Sequence, residues 1–143
     1  MTLKEYLRQY RRALREANDI LEEIEAERQK MAGVRAIIYS DMPKSHDTER
    51  DLSDAYAKYE HFAAERLRAY NRCQAVMLAV RKTISEAQTE LQYRVLYLRY
   101  IDGLKWDDVA ERIGKTRQWV NTVHGQALQQ IRFIYEPEDV GNE

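Results

Sequence analysis

Leu3, Leu7, Tyr10, Leu14, Ala17, Leu21 and Ile24 follow one another at spacings of four and three residues. Only an α-helix, with a period of about 3.6 residues, gathers such positions on one side. The series resumes at Met31 and Ile38 and predicts a helix of about 35 residues, near 50 Å at about 1.5 Å per residue. Arg28 falls on the seam and Gly33 just beyond it, so the second half is looser. The run breaks over residues 39–48, YSDMPKSHDT, where Ser40, Asp41, Pro43 and Ser45 favour a turn and Asp47 or Thr48 can cap the next helix. A second series then runs through Leu52, Tyr56, Tyr59, Ala63, Leu67, Tyr70, Cys73, Met77 and Val80. Two such helices with a short connection predict an antiparallel hairpin of coiled-coil type. A lone hairpin buries little surface, so it is expected to pack on a second copy, as a homodimer, or on the C-terminal helices.

The C-terminal half has a different pattern. In WDDVAERIGKTRQWVNTVHGQALQQI, Trp106 to Ile131, Ala110 falls mid-helix, Gly114 four residues later and Val120 six beyond that. This is the spacing of a helix-turn-helix. A small Ala110 permits close approach of two helices, and Gly114 tolerates the positive φ at which the first must stop. Val109, Ile113, Val120 and Val123 are spaced to pack between them. Arg117, Gln118, Asn121 and Thr122 then face outward, where a recognition helix meets the DNA major groove. The expected division is a hairpin over 1–86, a DNA-binding domain over 87–135 and an acidic tail, EPEDVGNE, over 136–143. Residues Leu91, Val95, Leu98, Val109, Ile113, Val120, Val123, Leu128 and Ile131 are expected to make the middle segment self-contained.

Composition supports an all-α class: Pro occurs twice and Gly five times in 143 residues. No apolar run approaches membrane-spanning length and the first residues lack a signal-peptide core, so the expectation is a cytoplasmic chain with no membrane partner. Cys73 is the only cysteine and sits at an apolar spacing, as a core residue would. His46, His61 and His124 form no metal-ligand or triad pattern, so neither an enzyme, a metal nor a cofactor is expected. Residues 81–135 carry nine Lys or Arg against six Asp or Glu, a modest basic excess for a nucleic-acid binder. Arg8, Arg11, Arg12 and Arg15 line one face of the first helix and could meet phosphates or an acidic partner. Ion pairing with Glu5, Glu16 and Asp19 is the plainer expectation. Tyr93, Tyr97 and Tyr100 form a stripe expected to pack rather than to stack on bases.

From Leu91 onward, the helix ending in LRYIDG, the WDDVAERIG helix and TRQWVNTVHGQALQQI resemble region 4 of bacterial sigma factors, the module that reads a promoter element. Thr116 with Arg117, and Ala127 with Leu128, match that family's opening Thr-Arg and core Ala-Leu pairs. With Tyr6–Ala13, Ser40–Pro43 and Leu98–Leu128, the whole chain is similar to small phage and prophage proteins grouped with ArpU/RinA-type regulators of late genes. The resemblance implies a sequence-specific, DNA-binding transcription regulator of phage origin, working at phage promoters with host RNA polymerase in the bacterial cytoplasm. Arg117 would read guanine, with Gln118, Asn121 and Thr122 on adjacent base edges. Lys115, Thr116 and Gln126 would hold the backbone. Asn121, Gln126, Gln129 and Gln130 stand where sigma factors are richer in cations. Trp119 stands where they commonly carry charge, and is expected to pack on the N-terminal helices. No promoter-melting segment accompanies the motif, so a complete sigma factor is not expected. The alternatives are a DNA-packaging protein resembling small terminase subunits, and a polymerase-binding module without DNA binding.

Overall fold

The computed structural model describes residues 1–38 and 46–135, and every element among them is helical. The helices are α1 (Leu3–Ile38), α2 (His46–Ser85), α3 (Glu90–Leu96), α4 (Trp106–Ile113) and α5 (Arg117–Tyr135), and a π-helical turn, Tyr97–Ile101, continues α3. The fold is all-α, and α1 covers the length its apolar spacing predicts. The turn at Ser40–Pro43 and the acidic tail lie outside the described residues. Because α2 begins at His46, Asp47 and Thr48 fall inside its first turn, and neither precedes it as a cap. Among the described residues, no helix is long and apolar enough to cross a membrane.

Two compact units divide the chain: residues 1–14 together with 75 onward, and residues 15–74. They do not part at residue 86. The start of α1 and the end of α2 belong with α3–α5.

In the second unit α1 and α2 run antiparallel. Glu23 pairs with Arg66 at 2.8 Å, while Glu16 lies beside Cys73 and Arg28 beside Tyr59, so numbers rise on one helix as they fall on the other. Ala17, Ile20, Ala69 and Cys73 are buried between them. Burial pushes the Cys73 thiol up, away from the reactive thiolate. The seam differs from the one expected. Leu21 is 45% exposed, and Ile20 takes the buried place instead. Tyr10, Ala17 and Ile24 belong to both possible rows, and a spacing of three and four can be completed on either flank. The structure completes it through Ala13 and Ile20 rather than Leu14 and Leu21. The small Ala13, Ala17 and Ala69 allow close approach on that flank.

In the first unit Leu7, Tyr10, Val80 and Ile84 are buried alongside Val95, Leu96, Ile101 and Ile131. α1 opens with a capping box: Thr2 N–H donates to Glu5 Oε2 at 2.8 Å and Glu5 N–H to Thr2 Oγ1 at 3.2 Å. Arg81 donates to Tyr10 Oη at 2.7 Å, and Arg11 Nη1 to the Ile101 carbonyl at 3.1 Å. The close ion pairs expected of the arginine stripe do not form among the described residues, although Arg8 acts on Glu5 from farther away. Among the described residues, no carboxylate lies within 4.0 Å of Arg8, Arg11, Arg12 or Arg15. The cause is visible: Glu5 is held by Thr2, Glu16 faces Cys73, and Arg11 caps a carbonyl.

The π turn is where the chain reverses toward α4. Asp102 N–H reaches back five residues to the Tyr97 carbonyl at 3.1 Å, and Gly103 follows at φ 71°. A β-carbon on Gly103 would stand 2.7 Å from Arg11 Nε. On Gly114, at φ 78°, it would meet nothing within 4 Å. Gly114→Ala should therefore cost only left-handed strain, about 1–2 kcal/mol. Gly103→Ala adds the loss of the Arg11 bond, for a total of about 2–3 kcal/mol. Urea unfolding of the two variants measures the difference, and equal losses would remove Arg11 from the account.

Candidate nucleic-acid interface

α4 and α5 are joined by Gly114, Lys115 and Thr116, and each of these residues has a local task. Gly114 turns left-handed (φ 78°, ψ 29°) and its N–H reaches the Glu111 carbonyl at 3.2 Å. Lys115 N–H reaches the Ala110 carbonyl at 3.1 Å, which completes a Schellman stop. Thr116 starts α5 by accepting the Trp119 N–H on its hydroxyl at 3.2 Å. Asp107 and Asp108 occupy the first turn of α4, where the helix dipole favours negative charge.

Behind this turn Val95, Leu98, Val109, Ala110, Val120 and Val123 form one buried cluster, with Leu91, Leu104, Trp106, Ile113 and Trp119 packed against it. Val109, Ile113, Val120 and Val123 thus lie between the helices, as their spacing predicts. Trp119 covers this cluster, and Lys115 Nζ sits 5.5 Å from its ring.

Lys115, Thr116, Arg117, Gln118, Asn121, Thr122 and Gln126 are all exposed. Two of them carry contacts that their spacing could not disclose. Arg117 Nη1 lies 3.4 Å from Asp107 Oδ1, with both side chains more than half exposed. Such a pair is worth under about 1 kcal/mol, so releasing the guanidinium to another acceptor is cheap. Thr122 donates its hydroxyl to the Gln118 carbonyl at 3.0 Å, which leaves its methyl group and an acceptor oxygen for any outside partner. Beside the turn an open groove is lined by Ala110, Glu111, Gly114, Lys115, Thr116 and Trp119.

No protein-family model, curated protein or solved structure matches the chain.

The flank of α5 toward the π turn carries a polar stack that spacing alone did not single out. Tyr100 Oη and His124 Nε2 are 2.8 Å apart, and both residues are buried. The Trp106 ring stands edge-on to His124 at 4.5 Å, and the Arg99 guanidinium lies 4.7 Å from the Trp106 ring. Arg99 also donates to the Leu104 carbonyl at 2.9 Å. Burial, with lesser help from Lys4, Arg99 and Arg8, pushes His124 down to about 4, so the imidazole is neutral. The signal was present: His124 shares a helical row with Val120, Ala127 and Ile131, all of them buried. The tyrosine stripe divides. Tyr100 is buried, Tyr97 half-buried, and Tyr93 is 40% exposed with its ring 5.9 Å from that of Tyr97.

Proposed function

We propose that the α4–α5 pair is a sigma-region-4-like helix-turn-helix that reads duplex DNA. In this reading the chain is a sequence-specific transcription regulator of phage origin, acting at phage promoters with bacterial RNA polymerase in the host cytoplasm. The observation that carries it is the exposed row Arg117, Gln118, Asn121 and Thr122 on a helix whose opposite side is fixed in a core. A guanidinium at the first turn, released from Asp107, can bond guanine O6 and N7 together. Thr122 offers its methyl group to thymine, and Gln118 and Asn121 offer amides to adjacent bases. A homodimer sets two such helices on two half-sites. In residues 15–74, Leu21 and Leu67, each almost half exposed, are available to form it.

Arg117→Ala is expected to cost about 1–3 kcal/mol of binding to a selected duplex and to relax preference at one base pair. Lys115→Ala should weaken selected and random duplexes alike and lower the salt slope by about one unit. Fluorescence anisotropy at matched salt reads both. Equal loss on both duplexes for Arg117→Ala would make it a phosphate contact only. A second reading, a polymerase-binding module without DNA binding, is favoured by one feature: within residues 117–132 only Arg117 and Arg132 are cationic. A wild type with no affinity for any duplex selects it.

A further inference from the structure

We infer that the first turns of α1 form a second phosphate-binding surface, in which Lys4, Arg8 and Arg12 hold the sugar–phosphate backbone of the duplex that α5 reads. The inference rests on the DNA-reading proposal and extends it to residues far from the motif in sequence.

The first ground is the distribution of charge. Residues 81–135 hold an excess of three cations. The compact unit adds residues 1–14 and 75–80 to them, and residues 1–14 with 75–135 hold thirteen Lys and Arg against seven Asp and Glu, an excess of six. Residues 15–74 hold ten against thirteen. The beginning of α1 therefore doubles the positive excess carried by residues 81–135, and it answers the scarcity of cations on α5 itself.

The second ground is that these cations make no close ion pair among the described residues. In residues 15–74 Arg28, Lys30 and Arg66 each have a carboxylate within 3.1 Å. Among the described residues, Lys4, Arg8 and Arg12 have none within 4.0 Å, and all three are exposed. Lys4, Arg8 and Arg12 recur every four residues, one above another at about 6 Å along the helix. A row of cations without close ion pairs on one helix costs little further ordering when it meets a polyanion.

The third ground is placement. Arg11, on the same stretch, is tied to the Ile101 carbonyl, and Tyr10 to Arg81, so this part of α1 is fixed to the unit rather than loose beside it. Lys4 and Arg8 act together with Arg99 on His124 of α5. The charges of Lys4 and Arg8 are thus felt on α5, the helix that carries the proposed base-reading row. An exposed line of this kind contacts phosphates and carries no base preference.

The test uses the full-length chain, a selected duplex and a random-sequence duplex, with affinity measured by anisotropy between 50 and 200 mM salt. Each phosphate contact contributes about 0.9 to the slope of log affinity against log salt. Arg8→Ala with Arg12→Ala is expected to lower that slope by nearly two on both duplexes, while the ratio of selected to random affinity is unchanged. Arg8→Lys with Arg12→Lys should restore the slope, which separates charge from folding. Arg28→Ala with Lys30→Ala should leave it unmoved. If wild type prefers the selected duplex and the double alanine variant keeps the wild-type slope, the second surface is wrong and the α5 reading stands. If wild type binds neither duplex, both fall, and retention of the α1 row on an acidic peptide column would assign it to a protein partner.

Discussion

A fragment of residues 87–135 is expected to show no cooperative unfolding, although it contains the whole motif and all nine apolar residues that look self-contained in the sequence. Cutting there removes Leu7, Tyr10, Val80 and Ile84, all buried in the same compact unit. Fully burying a large aliphatic side chain contributes about 1.5–3 kcal/mol, so Leu7, Val80 and Ile84 together contribute about 5–9 kcal/mol. That is the size of the entire stability of an ordinary domain, about 5–15 kcal/mol. The cut also takes away Arg11, leaving the Ile101 carbonyl without its guanidinium partner at the end of the π turn. A remnant of about 50 residues has too small a core to absorb such losses. Circular dichroism melting and the amide spectrum of the fragment decide the matter, and a sigmoidal melt with dispersed resonances would show that the α3–α5 cluster suffices. Within the full chain, Leu7→Ala should cost about 2–5 kcal/mol of unfolding free energy, since Leu7 is entirely enclosed.

The reason the sequence could not disclose this dependence is physical. Periodicity reports which face of a helix is apolar, not which neighbour covers it. The α4–α5 turn was legible because its signals are local: Gly114 at the stop, Thr116 at the start, Ala110 at the close approach. Each answers a backbone requirement within a few residues, and each is where the structure uses it. The length of α1 was legible for the same reason. Its seam was legible only in part, because Tyr10, Ala17 and Ile24 are common to two rows and the partner helix decides between Leu21 and Ile20. Helical spacing offers the arginine stripe Glu5, Glu16 and Asp19 as partners, whereas Thr2 and Cys73 engage the first two, and Arg8 acts on Glu5 without a close ion pair. Charge proximity along a helix is a weak guide when capping competes for the same group. Arg117 with Asp107 depends on a turn geometry that spacing does not encode.

His124 should make the chain acid-sensitive well above the range in which carboxylates titrate. Its folded-state value, about 4, lies below the ordinary 6.5, because burial beside Tyr100 and Trp106, with Lys4, Arg99 and Arg8 nearby, opposes the imidazolium. The sign follows from which state binds the proton. Above about pH 6.5 neither state does, and the stability is fully present. Between about 6.5 and 4 the unfolded chain takes up a proton that the folded chain refuses, so stability falls as pH falls. Below about 4 both states are protonated and this contribution to the slope ends. The loss across that window is at most about 3 kcal/mol, from a shift of about two and a half units at about 1.4 kcal/mol each. Urea denaturation of wild type and His124→Gln from pH 7.5 to 4 should give curves that diverge through this window, with the wild type the steeper. The His124 ring proton in the NMR spectrum should not titrate above about pH 5. Parallel denaturation curves, or a ring titrating near 6.5, would mean that the Tyr100–His124–Trp106 stack is open to water. The consequence reaches α5, because the same helix turn that buries His124 presents Asn121. A proton forced onto His124 loosens the π-turn side of the row proposed to read bases, so in that proposed role any loss of sequence preference should set in at the same pH as loss of stability.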